Sequence, residues 1–135
     1  MTDFILDPRL EADSVFLADG PLSQVRLIDD TRFPWLLLVP RVANAMEWID
    51  LDGAQQRLLL AEIQQVGSLL RGEPSVEKLN IGALGNVVRQ LHVHLVGRRD
   101  GDAAWPAPVW GFGAMQPHDA TLLAGKVDAW RARLA

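Results

Sequence analysis

The stretch Gln90-Leu91-His92-Val93-His94-Leu95-Val96 decides how this chain reads. Two imidazoles and a carboxamide alternate with apolar residues. In a β-strand, where successive side chains point to opposite faces, that puts Gln90, His92 and His94 on one face and Leu91, Val93 and Leu95 on the other. Such a strand has a core side and a chemical side. Same-face neighbours lie roughly 6.6 to 6.8 Å apart along a strand, so both imidazoles can approach one phosphate-sized group. They are two of only three histidines in 135 residues.

Working outward, the pattern predicts this strand over Val88 to Val96, with a preceding strand at Glu77-Lys78-Leu79-Asn80-Ile81 and a glycine-bearing connection, Gly82-Ala83-Leu84-Gly85-Asn86, making a hairpin. Further upstream, Trp35-Leu36-Leu37-Leu38-Val39 is apolar on both faces and stops at Pro40, as a central buried strand would. Val15-Phe16-Leu17-Ala18 and Gln24-Val25-Arg26-Leu27-Ile28, separated by the turn residues Asp19-Gly20-Pro21, read as an antiparallel pair. Asp7-Pro8 marks the start of a short helix. A long helix begins at Asp50 or Asp52 and carries Leu58, Leu59, Ile63, Val66, Leu69 and Leu70 at helical spacing, ending near Gly72 and Pro74. Residues 104–113 hold too much proline and glycine for regular structure, and their aromatic side chains should anchor them. Leu122, Leu123, Val127, Trp130 and Leu134 fit a terminal amphipathic helix. The expected fold is α+β: an antiparallel sheet of about five strands with one long packing helix and short N-terminal and C-terminal helices. It forms one domain over residues 1–135, with its core in about 14–100 and a C-terminal extension and helix in about 101–135. The open sheet leaves edges, and a homodimer through an edge or through the long helix would cover one.

Composition narrows the chemistry. Cysteine is absent, which excludes disulfide scaffolds, thiolate metal sites and thiol catalysis. No apolar run approaches the ~20 residues needed to cross a bilayer, and Met1-Thr2-Asp3-Phe4 lacks the basic and apolar regions of a signal peptide, so a cytoplasmic protein is expected. The net charge of -4 and an isoelectric point near 5.2 argue against a nucleic-acid backbone as partner. A small anion needs only local donors, and Arg89, Arg98 and Arg99 make the ends of the histidine strand the most basic region.

A neutral imidazole is a competent nucleophile toward phosphorus at neutral pH without a metal, and a second imidazole on the same face can assist the leaving group. Backbone N–H groups of the glycine-bearing connection, with Asn80 and Asn86, could hold phosphate oxygens. Two other readings of the pair stand beside this one. His-x-His could begin a zinc site completed by His118 or a carboxylate, or both histidines could simply hydrogen-bond within a sheet.

The sequence resembles the histidine triad family, whose signature is His-φ-His-φ-His-φ-φ with φ apolar. Every position of Gln90-Leu91-His92-Val93-His94-Leu95-Val96 matches except the first histidine. Leu37-Leu38-Val39-Pro40-Arg41 resembles the family's strand ending in Pro-Lys or Pro-Arg, and Gly85-Asn86 resembles its Gly-Gln step, the likeness covering roughly residues 14 to 100. The resemblance implies a nucleotide-binding fold, usually a homodimer, that hydrolyses or transfers nucleotidyl groups at the α-phosphate of a phosphoramidate or dinucleotide without a metal cofactor. It implies a purine nucleotide or nucleotide conjugate as partner. By position, His92 would be the nucleophile, and His94 would contact the phosphate and help protonate the leaving group. Asn80 and Asn86 would lie at the phosphate, Asp29, ahead of Asp30, at the ribose, and Phe16 or Leu27 against the base. Gln90 takes the place of the first, supporting histidine, and Val42-Ala43-Asn44 lacks a histidine that many members carry. These two departures raise the alternative of a catalytically weak nucleotide-binding or regulatory homodimer.

Overall fold

The computed structural model describes residues 3–135; Met1 and Thr2, part of the opening segment read above, lie outside the described residues. Asp7 caps the first helix, α1 (Pro8–Asp13), by accepting from the Arg9 N–H, while Pro8 occupies a helical position that needs no donor. Strands β1 (Ser14–Asp19) and β2 (Ser23–Ile28) follow, then β3 (Trp35–Pro40), the long helix α2 (Gly53–Arg71), β4 (Lys78–Gly82), β5 (Val93–Arg98) and the terminal helix α3 (Ala120–Leu134). Of the two candidate caps of α2, Asp52 takes the role and accepts from the Gln55 N–H; Asp50 instead closes a single 3-10 turn at Trp48–Asp50 that the sequence did not announce. The strands form one antiparallel sheet in the order β1-β2-β3-β5-β4. The fold is therefore α+β, as expected. Among the described residues no helix is long and apolar enough to cross a membrane.

Strand alternation separates the two sheet faces. Leu36 and Leu38 of β3, with Val93 and Leu95 of β5, pack against Leu59, Val66 and Leu70 of α2 and against Val127 and Trp130 of α3. Trp35, Leu37 and Val39, with Val96, face the other way and pack against Leu10 of α1 and against Ala104 and Val109 of the C-terminal segment. Double-sided burial is thus why β3 carries no polar residue. The sheet lies close under its connections: a Cβ on Gly97 would sit 2.6 Å from Val76 Cγ2 and 3.1 Å from Pro34 Cγ, closer than carbon atoms pack.

One expectation is corrected. The histidine strand begins at Val93, not Val88, and the connection from β4 spans 83–92, longer than the glycine-bearing stretch 82–86 expected. The β3–β5 pairing stops at Leu38 with Val93; two residues further the same register would set Leu91 against Pro40, which has no N–H to donate. Leu91 instead donates its N–H to the Ala45 carbonyl. Gly85, at φ 70°, supplies the left-handed turn of this connection. Gln90 consequently lies outside the strand and does not share a strand face with the histidines.

Candidate active site

The face of the sheet opposite α2 carries a cavity of about 600 Å³, within the size range of small-molecule sites. His92 and His94 line it, with Leu10 and Asp13 of α1, Ile28 of β2, Trp35 and Leu37 of β3, the 84–88 connection including Asn86, and Trp110 and Met115 of the C-terminal segment. A larger and more open groove of about 940 Å³ runs along α3 beside Trp130 and Arg133 and contains neither histidine. The two histidines therefore belong to the smaller cavity.

Both imidazoles are nearly buried, and their rings meet edge to face with centroids 4.9 Å apart. His92 Nδ1 is 2.7 Å from the Gln90 carbonyl oxygen. A carbonyl can only accept, so Nδ1 carries a proton, and in the neutral ring Nε2 keeps its lone pair. His94 is held in the opposite sense. Trp35 donates its indole Nε1–H to His94 Nδ1 at 3.0 Å, and since an indole nitrogen is only a donor, the His94 proton sits on Nε2. The pair thus consists of one nucleophilic nitrogen and one donor nitrogen. Burial pushes the His94 imidazole down to about 3, with the neighbouring His92 adding to the effect, so His94 is a neutral hydrogen-bond donor at physiological pH. Trp35 and Trp110 flank its ring at centroid distances of 5.7 and 5.5 Å. Trp110 also packs over Gly82 of β4, where a Cβ would lie in ordinary van der Waals contact with the indole at 3.4 Å.

The sequence-predicted site residues separate into two groups. His92, His94 and Asn86 come together at the cavity. Gln90, Asn80 and Asp29 do not line it, each being engaged elsewhere. Gln90 pairs with the backbone of residues 5 and 7. Asn80 Oδ1 accepts from the buried Arg98 guanidinium at 2.7 Å; Arg98 also makes a two-bond pair with Asp102 and donates to the Ala107 carbonyl, tying the C-terminal segment to the sheet. Asp29 Oδ1 accepts from the backbone N–H of His118 at 2.9 Å and lies 2.7 Å from its Nδ1. Asp30 is buried and paired with Arg32, whose hydrogen bonds and charge hold its carboxyl below the usual range despite the opposing effect of burial. Leu27 points into the α2 side of the core and Phe16 sits on the outer strand β1, so neither lines the cavity, whose apolar lining includes Leu10, Ile28 and Leu37. His118, the candidate third zinc ligand, is the partner of Asp29, and among the described residues no group of three or more histidines and carboxylates is arranged to hold a metal.

Trp35, Trp110 and Asp13 are cavity residues that sequence reasoning did not single out. Trp35 was legible in principle, because it shares the odd-numbered face of β3 with Leu37, the register partner of His94. Trp110 and Asp13 arrive through long-range packing and leave no local signal.

Comparison with known proteins identifies the family. The HIT domain profile matches residues 9–101. Among solved structures, a histidine triad protein from Bradyrhizobium japonicum is 48% identical, with a TM-score of 0.93 and 98% of each chain covered. One from Sinorhizobium meliloti is 44% identical, with a TM-score of 0.89 over 97% of this chain and 94% of the other. One from Marinobacter aquaeolei is 37% identical, with a TM-score of 0.93 over 97% and 96%. No curated relative matches the chain. With the profile spanning most of the sequence and three such structures matched along nearly their whole length, this chain belongs to the histidine triad family.

Proposed function

We propose that the cavity binds a nucleotide and that His92 transfers or hydrolyses its nucleotidyl group at the α-phosphate. Family membership supports a nucleotide-binding hydrolase or transferase. The single observation that carries the mechanism is the opposite tautomers of the two histidines, one fixed by a carbonyl and the other by an indole. His92 Nε2 attacks phosphorus, a P–N bond forms and the bond to the leaving group breaks; water then cleaves the nucleotidyl-histidine and releases nucleoside monophosphate. His94 donates Nε2–H to an oxygen of the phosphoryl group as its charge grows, which stabilises the transition state electrostatically. Because His94 is neutral, the proton taken up by the leaving group comes from solvent. The base rests against Leu10, Ile28 and Leu37, and the Asp13 carboxylate and Asn86 carboxamide are the polar side chains within reach of ribose and phosphate. The homodimer belongs to this reading, supported by the outer position of β4 and by the exposed apolar side chains Ile81 and Leu60; gel filtration at the monomer mass would remove it.

Adenosine 5′-phosphoramidate should be turned over to adenosine monophosphate, and His92→Ala should lower kcat by at least about a thousandfold, as expected for loss of a covalent nucleophile. Unchanged turnover in that variant would sink the assignment. The second reading, a nucleotide-binding protein of weak activity, is favoured by Asn80 and Asp29 already having internal partners. Calorimetric binding of adenosine monophosphate without turnover of any nucleotide substrate would select it.

A further inference from the structure

The residue that breaks the family signature has a different occupation. Gln90 makes a two-point pairing with the N-terminal segment: its Oε1 accepts from the Asp7 N–H and its Nε2 donates to the Ile5 carbonyl, both at 2.8 Å. Its own backbone carbonyl accepts from His92 Nδ1. One residue therefore touches residues 5 and 7 with its side chain and the candidate nucleophile with its main chain.

What hangs from that clamp is part of the cavity. Asp7 is the N-cap of α1, and α1 places Leu10 and Asp13 on the cavity wall. At six residues α1 is far too short to be stable alone and must be held by its surroundings. Leu10 is buried, and Phe4 and Leu6 pack partly against the core, but Ile5 is 82% exposed, so apolar burial does not fasten the middle of the segment. We infer that Gln90 is a positioning residue whose carboxamide clamps residues 5–7, and through them the α1 wall of the nucleotide cavity, to the segment that orients His92.

The chemistry of the side chain suits this task. A primary carboxamide carries a donor and an acceptor side by side, as a peptide unit does, and so can pair with an N–H and a C=O two residues apart on one chain. An imidazole's two nitrogens diverge, so histidine at 90 could satisfy one of the two backbone groups at most. Glutamate keeps the shape but has no donor, and sets a carboxylate oxygen against the Ile5 carbonyl. The departure from the signature is thus a gain of anchoring.

The inference rests on the nucleotide reading of the cavity, and two measurements separate them. Hydrogen–deuterium exchange of the full chain reads the clamp without substrate. In Gln90→Glu and Gln90→Leu, amides in residues 5–13 should exchange about tenfold faster, the scale of one or two ordinary hydrogen bonds, while α2 and β5 keep their protection. Steady-state kinetics with adenosine 5′-phosphoramidate reads the coupling: KM should rise about five- to tenfold with kcat within about twofold, because every variant retains the backbone carbonyl that orients His92. Gln90→His should behave like the leucine variant and bring no rate gain. Unchanged exchange at residues 5–13 in both variants overturns the clamp. A fall in kcat at constant KM, or a large gain in Gln90→His, overturns the positioning role by putting position 90 in the chemistry itself. If the wild-type protein neither binds adenosine monophosphate nor turns over the phosphoramidate, the proposed function fails while exchange still decides whether Gln90 holds the segment.

Discussion

Replacing His94 by asparagine should make the protein resist acid better relative to its own stability at neutral pH. Asn Oδ1 stands near the place of the imidazole Nδ1, so Trp35 keeps an acceptor, but the side chain no longer titrates. In the wild type the His94 imidazole is depressed from 6.5 to about 3 by burial and by His92 beside it. Between these values the unfolded chain binds a proton that the folded chain refuses, so stability is lost as the pH falls below 6.5 and the loss levels off only near 3. At about pH 4.5, roughly two units below the unfolded value, His94 alone accounts for about 3 kcal/mol, at 1.36 kcal/mol per unit. That is a large share of the ~5–15 kcal/mol typical of a domain. Asp30 and Asp102 are also depressed, but in the opposite sense: they stabilise the fold above the unfolded carboxylate value of 3.8 and lose that contribution below it, in both proteins alike. Urea denaturation at pH 7 and at about pH 4.5 isolates the histidine. Wild type should lose about 3 kcal/mol more than His94→Asn over that interval. Equal losses would show that His94 is protonated inside the fold, and the neutral-donor role assigned to it would fall.

Two further outcomes follow from contacts around the same strand. Trp35→Phe removes the indole donor that fixes His94, so nitrogen-resolved NMR should show a mixture of His94 tautomers where the wild type carries its proton on Nε2, and turnover should drop about fivefold, the equivalent of ~1 kcal/mol for one hydrogen bond; an unchanged spectrum contradicts the tautomer assignment. Gly97→Ala forces a methyl group against Val76 and Pro34 and should cost ~1–3 kcal/mol of stability by urea denaturation, most of it recovered by adding Val76→Ala; no loss would mean that the strand and its cover are less tightly packed than the distances imply.

The architecture was legible because its signals are local. Double-sided apolar character marked β3, an aspartate followed by proline marked α1, and helical spacing with an aspartate cap marked α2. The start of the histidine strand was misplaced because alternation continues through Leu91 and His92 even though the backbone has left the ladder; what ends the pairing is Pro40 on another strand. Likewise, nothing within Asn80 or Asp29 reveals that Arg98 and His118, distant in sequence, engage them. A polar residue upstream of a histidine motif reads the same whether it faces a ligand or anchors a loop.

Sequence by itself determined that His92 and His94 would lie on one side and Val93 and Leu95 on the other, since side-chain alternation and apolar patterning are properties of the chain alone. Only the tertiary structure decided what each histidine can do. A tautomer is set by the partner of the second ring nitrogen, and those partners, the Gln90 carbonyl and the Trp35 indole, are fixed by backbone path and strand register rather than by the motif. The same holds for Gln90: its identity is written in the chain, but whether its carboxamide meets a phosphate or the backbone of residues 5 and 7 depended on how the N-terminal segment folds back across the connection before β5.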